Sequence, residues 1–182
     1  RISEGEVLQL SLKNSDVLVE EDYFEIIDRK TAELFKVSAT TAGILCSCNE
    51  DEIQSLGKFS SNLGIAFQIQ DDILDYYGDE NLTGKKLGKD FEEGKYTLPV
   101  ILALKNTSPE NRSKLKSLFR SRKQEDFQDV LEILNSANTY EEIQKVFFFY
   151  STICEEELKN VPSNQYRDSL EDIVANLGTR LT

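Results

Sequence analysis

The sequence predicts an all-α fold with short connections, on three observations. Apolar residues return every three or four positions through 20–44, 53–75 and 98–104, the spacing of one helix face. No segment of useful length alternates apolar and polar residues as a half-buried strand does, and no internal repeat is found. Helix start and stop signals fall between the periodic segments: Asn49 with Glu52, Thr97-Leu98-Pro99 and Val161-Pro162.

Residues 2–13 carry Ser3-Glu4-Gly5-Glu6 followed by Val7, Leu8, Leu10 and Leu12, a short helix running into a polar turn at 14–16. From about Glu20 a longer helix is expected, with Tyr23, Ile27, Leu34, Val37, Thr41 and Ile44 along one buried stripe. Lys30 stands on that stripe where an apolar residue belongs; it either snorkels its ammonium to the surface or serves an interior site. Asn49 and Glu52 have capping-box spacing for a third helix, through Leu56, Ser60, Leu63 and Phe67. Gly57 and Gly64 each cost that helix about 1 kcal/mol relative to alanine, so close packing or ligand access is expected there. Pro99 fits the first turn of the next helix, and further helices are expected over 109–119, 125–135, 140–159 and 164–177. The run Val146-Phe147-Phe148-Phe149-Tyr150 is broad enough to be buried all round or to sit at a subunit interface, with core favoured over a binding box.

The third helix ends in a chemically loaded stretch, 67–75, reading F-Q-I-Q-D-D-I-L-D. At about 100° per residue, Gln68, Asp71, Asp72 and Asp75 share an arc of roughly 100°. Carboxylates so spaced, near a helix C-terminus, oppose one another and the macrodipole, which marks either a solvated acidic face or a site. The segment 78–95 follows, alternating Gly78, Gly84, Gly88 and Gly94 with Lys85, Lys86, Lys89 and Lys95. It is not a P-loop: Gly78 and Gly84 are separated by five residues, Lys86 stands where Ser or Thr belongs, and a helix precedes it. Hard cations such as Mg²⁺ link one or two carboxylates to phosphate oxygens, and lysines supply the remaining countercharge. Carboxylates, an interior lysine and a glycine-lysine segment therefore form a credible platform for a metal diphosphate. The EF-hand order is absent.

Composition narrows the chemistry. The 182-residue chain carries a net charge of −12, against a generic nucleic-acid binder. It has no histidine, which removes His-based acid–base catalysis, histidine-dependent nucleophile systems and the usual zinc enzymes. Cys46, Cys48 and Cys154 are expected to be reduced and mostly buried. No apolar run approaches the roughly 18 residues of a membrane span, so a soluble, cytoplasmic protein without a transmembrane segment is expected. The sequence starts at Arg1 and contains no methionine; position 1 is expected not to be a native start.

Residues 64–75, G-I-A-F-Q-I-Q-D-D-I-L-D, resemble the second aspartate-rich motif of the trans-isoprenyl diphosphate synthases, the polyprenyl synthetase family. Gly84-Lys85, Gly88-Lys89-Asp90 and Gly94-Lys95-Tyr96-Thr97-Leu98-Pro99 are similar to that family's next segment. Glu4-Gly5-Glu6 with Gln9, then Lys30-Thr31-Ala32, match two upstream motifs in the right order. The resemblance implies an isoprenoid synthase-like helical bundle around a central cavity, usually a homodimer. It implies Mg²⁺-dependent condensation of isopentenyl diphosphate with an allylic diphosphate to a polyprenyl diphosphate, octaprenyl or decaprenyl type slightly favoured, in isoprenoid biosynthesis. Carried onto matching positions, it makes Asp71, Asp72 and Asp75 the metal residues, with Asp72 close by and acting through water. Lys30, Lys85 and Lys95 become the diphosphate contacts, and Lys30, Thr31 and Gln68 the reaction-centre residues. The family's first aspartate-rich motif has no counterpart here, since Asp16 and Glu20-Glu21 do not reproduce D-D-x-x-D. Residues 1–182 therefore read as the C-terminal part of one all-α polyprenyl synthase domain, the alternative being a catalytically silent partner subunit of a heteromeric synthase.

Overall fold

The computed structural model describes residues 1–12, 19–80, 84 and 86–178. Helix α1 is Ile2–Leu12 and α2 is Glu20–Ile27; a π-helical stretch, Asp28–Ala32, joins α2 directly to α3, Glu33–Leu45. Then follow α4 (Glu50–Tyr77), the short α5 (Lys89–Glu93), α6 (Leu98–Asn106), α7 (Pro109–Ser121), α8 (Phe127–Ser136), α9 (Thr139–Leu158) and α10 (Gln165–Gly178). The described residues are mostly helical and contain no strand, as expected.

The 28-residue α4 is the central element, flanked by α3 and α9 along most of its length. Its capping box forms: Asn49 Oδ1 accepts from the Glu52 amide and Glu52 Oε2 accepts from the Asn49 amide, both at 2.9 Å. Gly64 faces the end of the π stretch, where its Cβ would lie 2.7 Å from the Ala32 Cα, and Gly57 faces α3, where its Cβ would lie 2.9 Å from the Thr40 methyl. Their helix-propensity cost is thus offset by close packing, and Phe35 and Phe67 close the seam with ring centroids 5.7 Å apart. Tyr23, Phe59, Ile69, Ile73, Leu98 and Ile143 bring α2, α4, α6 and α9 into one core. A second core of Tyr76, Phe91, Leu115, Phe119, Phe127 and Leu134 lies under the C-terminal end of α4.

Two expectations about burial are corrected. Tyr23 and Ile27 are buried, but Leu34, Val37 and Ile44 are 57%, 48% and 63% exposed. The π-helical stretch accounts for this: the Glu33 amide donates to the Asp28 carbonyl five residues back, which inserts one residue relative to a regular helix. Each residue turns an α-helix by about 100°, so the stripe leaves the core and Phe35 and Gly43 take its place. In the run 146–150 Phe147 is buried and Val146 and Tyr150 pack, half-buried, against the core, whereas Phe148 and Phe149 are 59% and 61% exposed, as residues adjacent on one helix diverge. Cys154 is buried, whereas Cys46 is exposed. No helix among the described residues is long and apolar enough to cross a membrane.

Candidate active site

A cleft of about 230 Å³ opens where α1, the α2–π junction, α4 and the segment after α5 meet. Its wall includes Gln9, Tyr23, Lys30, Thr31, Gln68, Asp71, Asp72, Asp90 and Lys95. The lysine side is built by close contact: α1 lies so near the π stretch that a Cβ on Gly5 would stand 2.7 Å from the Lys30 backbone nitrogen. Gln9 Oε1 and Glu6 Oε2 thereby reach the Lys30 ammonium, each at 2.7 Å. Across the cleft, Lys95 pairs with Glu93 at 2.6 Å and Asp90 at 3.6 Å. Desolvation pulls the Lys95 ammonium down, but Glu93 and Asp90 outweigh it and its pKa is raised.

A polar chain runs along the floor. The Tyr23 hydroxyl donates to Asp72 Oδ2 at 2.7 Å, Gln68 Nε2 donates to Asp72 Oδ1 at 2.9 Å, and Thr31 Oγ1 donates to Gln68 Oε1 at 3.0 Å. Asp72 is 1% exposed. Burial, and after it the charge of Asp90, push its carboxyl up to about 8, although both donors favour the ionised form.

The three aspartates of the motif therefore part company. Asp71 is exposed on the cleft wall, Asp72 is buried beneath it, and Asp75 turns to the segment after α4. Asp75 Oδ1 and Oδ2 accept from the amides of Lys89 and Asp90 at 3.1 and 3.0 Å, filling donor positions at the start of α5. Its own carbonyl accepts from the Gly88 amide at 2.8 Å. Gly88 takes φ +76°, and a Cβ there would lie 2.7 Å from the Phe127 ring, so glycine is required both by the dihedral and by the space. These contacts return the chain to the cleft and place Asp90 in it. Burial first, then Asp90, raise the Asp75 carboxyl to about 6; burial and the charge of Asp71 raise Asp90, with Lys95 opposing.

Of the expected site residues, Lys30, Thr31, Gln68, Asp71, Asp72 and Lys95 share the cleft, Asp75 supports it from behind, and Lys85 lies outside the described residues. Asp90, Glu6 and Tyr23 gained no site role from spacing alone. Asp90 sits inside the quoted Gly88-Lys89-Asp90 motif, and Glu6 and Gln9 inside the α1 motif; for Tyr23 the stripe concealed the hydroxyl. Among the described residues no group of three or more carboxylate or thiolate side chains closes on one point as a metal cage. The donor chemistry still fits a hard cation: the wall offers carboxylate oxygens, and burial first, then the charge of neighbouring carboxylates, raises Asp72, Asp75 and Asp90. A cation completed by waters and phosphate oxygens needs only one or two protein carboxylates.

A family model described as polyprenyl synthetase matches residues 1–137. The octaprenyl diphosphate synthase of Escherichia coli K12 is 38% identical over 141 residues, 77% of this chain and 44% of that protein. The geranylgeranyl diphosphate synthase of Saccharolobus solfataricus is 36% identical over 166 residues, 88% of this chain and 49% of that protein. Among solved structures, a decaprenyl diphosphate synthase from Rhodobacter capsulatus has a TM-score of 0.91 at 32% identity, covering 100% of this chain and 56% of that one. A polyprenyl synthase from Caulobacter crescentus CB15, complexed with calcium and isoprenyl diphosphate, has a TM-score of 0.92 at 32% identity, with the same coverage. The chain spans about half the length of the relatives it matches. Its helical architecture, the order of its motifs and the match over residues 1–137 agree: the chain belongs to the polyprenyl synthetase family.

Proposed function

We propose that this chain forms the diphosphate-binding part of a trans-prenyltransferase that condenses isopentenyl diphosphate with an allylic diphosphate. The observation that carries the reading is the convergence in one cleft of exposed Asp71, Asp90, two lysines and the Thr31–Gln68 pair. Lys30 and Lys95 would exchange Glu6 and Glu93 for diphosphate oxygens, which carry more charge than a carboxylate. As the allylic C–O bond breaks, the electron pair leaves with diphosphate, and Thr31 and Gln68 face the carbocation that remains. The isopentenyl double bond attacks that cation, and loss of a proton, with diphosphate as the base, restores the alkene. Apolar Ile26 and Ile27 beside Tyr23 in the cleft wall limit water access to the cation. Mg²⁺ held at Asp71, with Asp90 close by, would neutralise the leaving diphosphate.

A divalent cation and an isoprenyl diphosphate in the Caulobacter crescentus structure support this reading. Relatives named for octaprenyl and geranylgeranyl products match alike, so the proposal carries no product length. Exposed Leu34, Val37, Ile44 and Leu45 on α3 support assembly with further polypeptide, for which we propose a homodimer. Free Cys46, Cys48 and Cys154 fit the cytoplasm as the site of action. The test is prenyl transfer by the intact protein with Mg²⁺, an allylic primer and labelled isopentenyl diphosphate. Asp71→Ala is expected to lower turnover by orders of magnitude while leaving the circular dichroism spectrum unchanged; a fully active variant refutes the metal role, and no incorporation by the unaltered protein refutes the function.

A further inference from the structure

Resting on the prenyltransferase reading, we propose that Asp72, held by Tyr23, is a positioning residue that fixes the proton order of the Asp72–Gln68–Thr31 chain, so that Thr31 turns lone pairs toward the reaction centre. Asp72 is 1% and Tyr23 3% exposed. Each oxygen of Asp72 already receives a donor, Oδ2 from Tyr23 and Oδ1 from Gln68. That is the environment of a structural acceptor, in contrast to the exposed carboxylate of Asp71 one residue before it.

The consequence follows from the amide of Gln68, which can offer either its oxygen or its nitrogen to a neighbour. Asp72 Oδ1, accepting at 2.9 Å, takes the nitrogen side, and Oε1 is then left for Thr31. Thr31 commits its single proton to that oxygen at 3.0 Å, and its two lone pairs are what remain for the cleft. The reverse order would aim an amide N–H at Thr31 and drive the hydroxyl proton toward the cleft, against a developing positive charge. Tyr23 completes the arrangement by pinning the second oxygen of Asp72, 49 residues away in the chain. The aspartate next to the exposed Asp71 thus acts through Gln68.

The test reads Gln68 directly, in the full chain labelled with ¹⁵N-glutamine, the resonance being assigned by its loss in Gln68→Glu. One side-chain amide proton is expected to exchange slowly with solvent. Asp72→Leu should speed that exchange by about tenfold or more. Asp72→Asn, whose carbonyl still accepts from Gln68, should restore most of the protection. Tyr23→Phe deletes one hydroxyl with little risk to folding and is expected to give an intermediate rate. An exchange rate indifferent to both Asp72→Leu and Tyr23→Phe overturns the proposal. So does an Asp72→Asn variant that keeps the Gln68 amide protected yet loses Mg²⁺–pyrophosphate binding by calorimetry, since Asp72 would then be a ligand. If the unaltered chain binds no Mg²⁺–pyrophosphate while the exchange rates move as expected, the failure falls on the prenyltransferase reading and the hydrogen-bond order stands.

Discussion

Replacing Asp75 with alanine separates a metal ligand from a support of the segment after α4. In the structure both carboxylate oxygens accept backbone amides, those of Lys89 and Asp90. Removing them exposes two donors at the start of α5; loss of a capping side chain costs about 0.5–2 kcal/mol. Water can reach the Lys89 amide, which keeps that end of the effect small, whereas the Asp90 amide is partly buried. The loss is also offset in part, because removing one carboxylate relieves its repulsion with Asp90 and Asp71. A net local effect of about 1–2 kcal/mol corresponds to a roughly 5–30-fold change in an opening equilibrium. Amide hydrogen exchange is the assay: the amides of Lys89 and Asp90 should exchange faster by that factor, while those of Ile69 and Ile73, buried in mid-helix, stay unchanged. Binding of Mg²⁺–pyrophosphate should weaken modestly, as Asp90 loses its fixed position. Unchanged exchange at Lys89 and Asp90, together with abolished metal binding, would refute the reasoning and restore Asp75 as a ligand.

Two further predictions use the same cluster. In the metal-free protein Asp72 titrates at about 8 and Asp75 at about 6, above the ordinary carboxylate value. The folded state therefore holds more protons than the unfolded one, and stability is highest below about pH 4 for these groups and falls as pH rises through 6 and then 8, by at most about 1.4 kcal/mol per pH unit per group. Thermal melts in chelator should show Tm lower at pH 8.5 than at pH 5.5, with added Mg²⁺ raising Tm more at pH 8.5; a flat profile would count against the buried cluster. Gly88→Ala places a Cβ 2.7 Å from the Phe127 ring at φ +76°. Left-handed backbone costs about 1–2 kcal/mol and displacing a core ring about 1–3 kcal/mol, so Tm should fall by roughly 5–15 °C at this chain length, and a fall under 2 °C would mean that the segment repacks freely.

What the sequence made legible was whatever is decided locally. Helix boundaries from α6 onward follow Pro99, Ser108-Pro109 and Val161-Pro162, signals that act within a turn of where they stand. The Gln68–Asp72 contact follows from i,i+4 spacing. The contacts of Asp75 were not legible, because its partners are backbone amides 14 and 15 residues further on, and no side-chain pattern marks a backbone donor. Tyr23 was read as core, which it is; its hydroxyl is assigned only by a partner on another helix.

The α2–α3 junction fails for a more instructive reason. A template of 3.6 residues per turn has no place for an inserted residue, so the stripe predicted past Lys30 leads to the solvent-facing Leu34 and Val37. The same insertion assembles one wall of the cleft. On a regular helix, neighbouring side chains diverge by about 100°, a spread across which Asp71 and Asp72 of α4 still line the cleft together. Closing the turn at five residues, through the Glu33 amide and the Asp28 carbonyl, widens it and narrows that angle further, and Lys30 and Thr31 line the cleft together. The backbone irregularity that breaks the hydrophobic pattern thus lies where the cleft takes an ammonium and a hydroxyl from one turn, the pairing that the proposed diphosphate and carbocation would use.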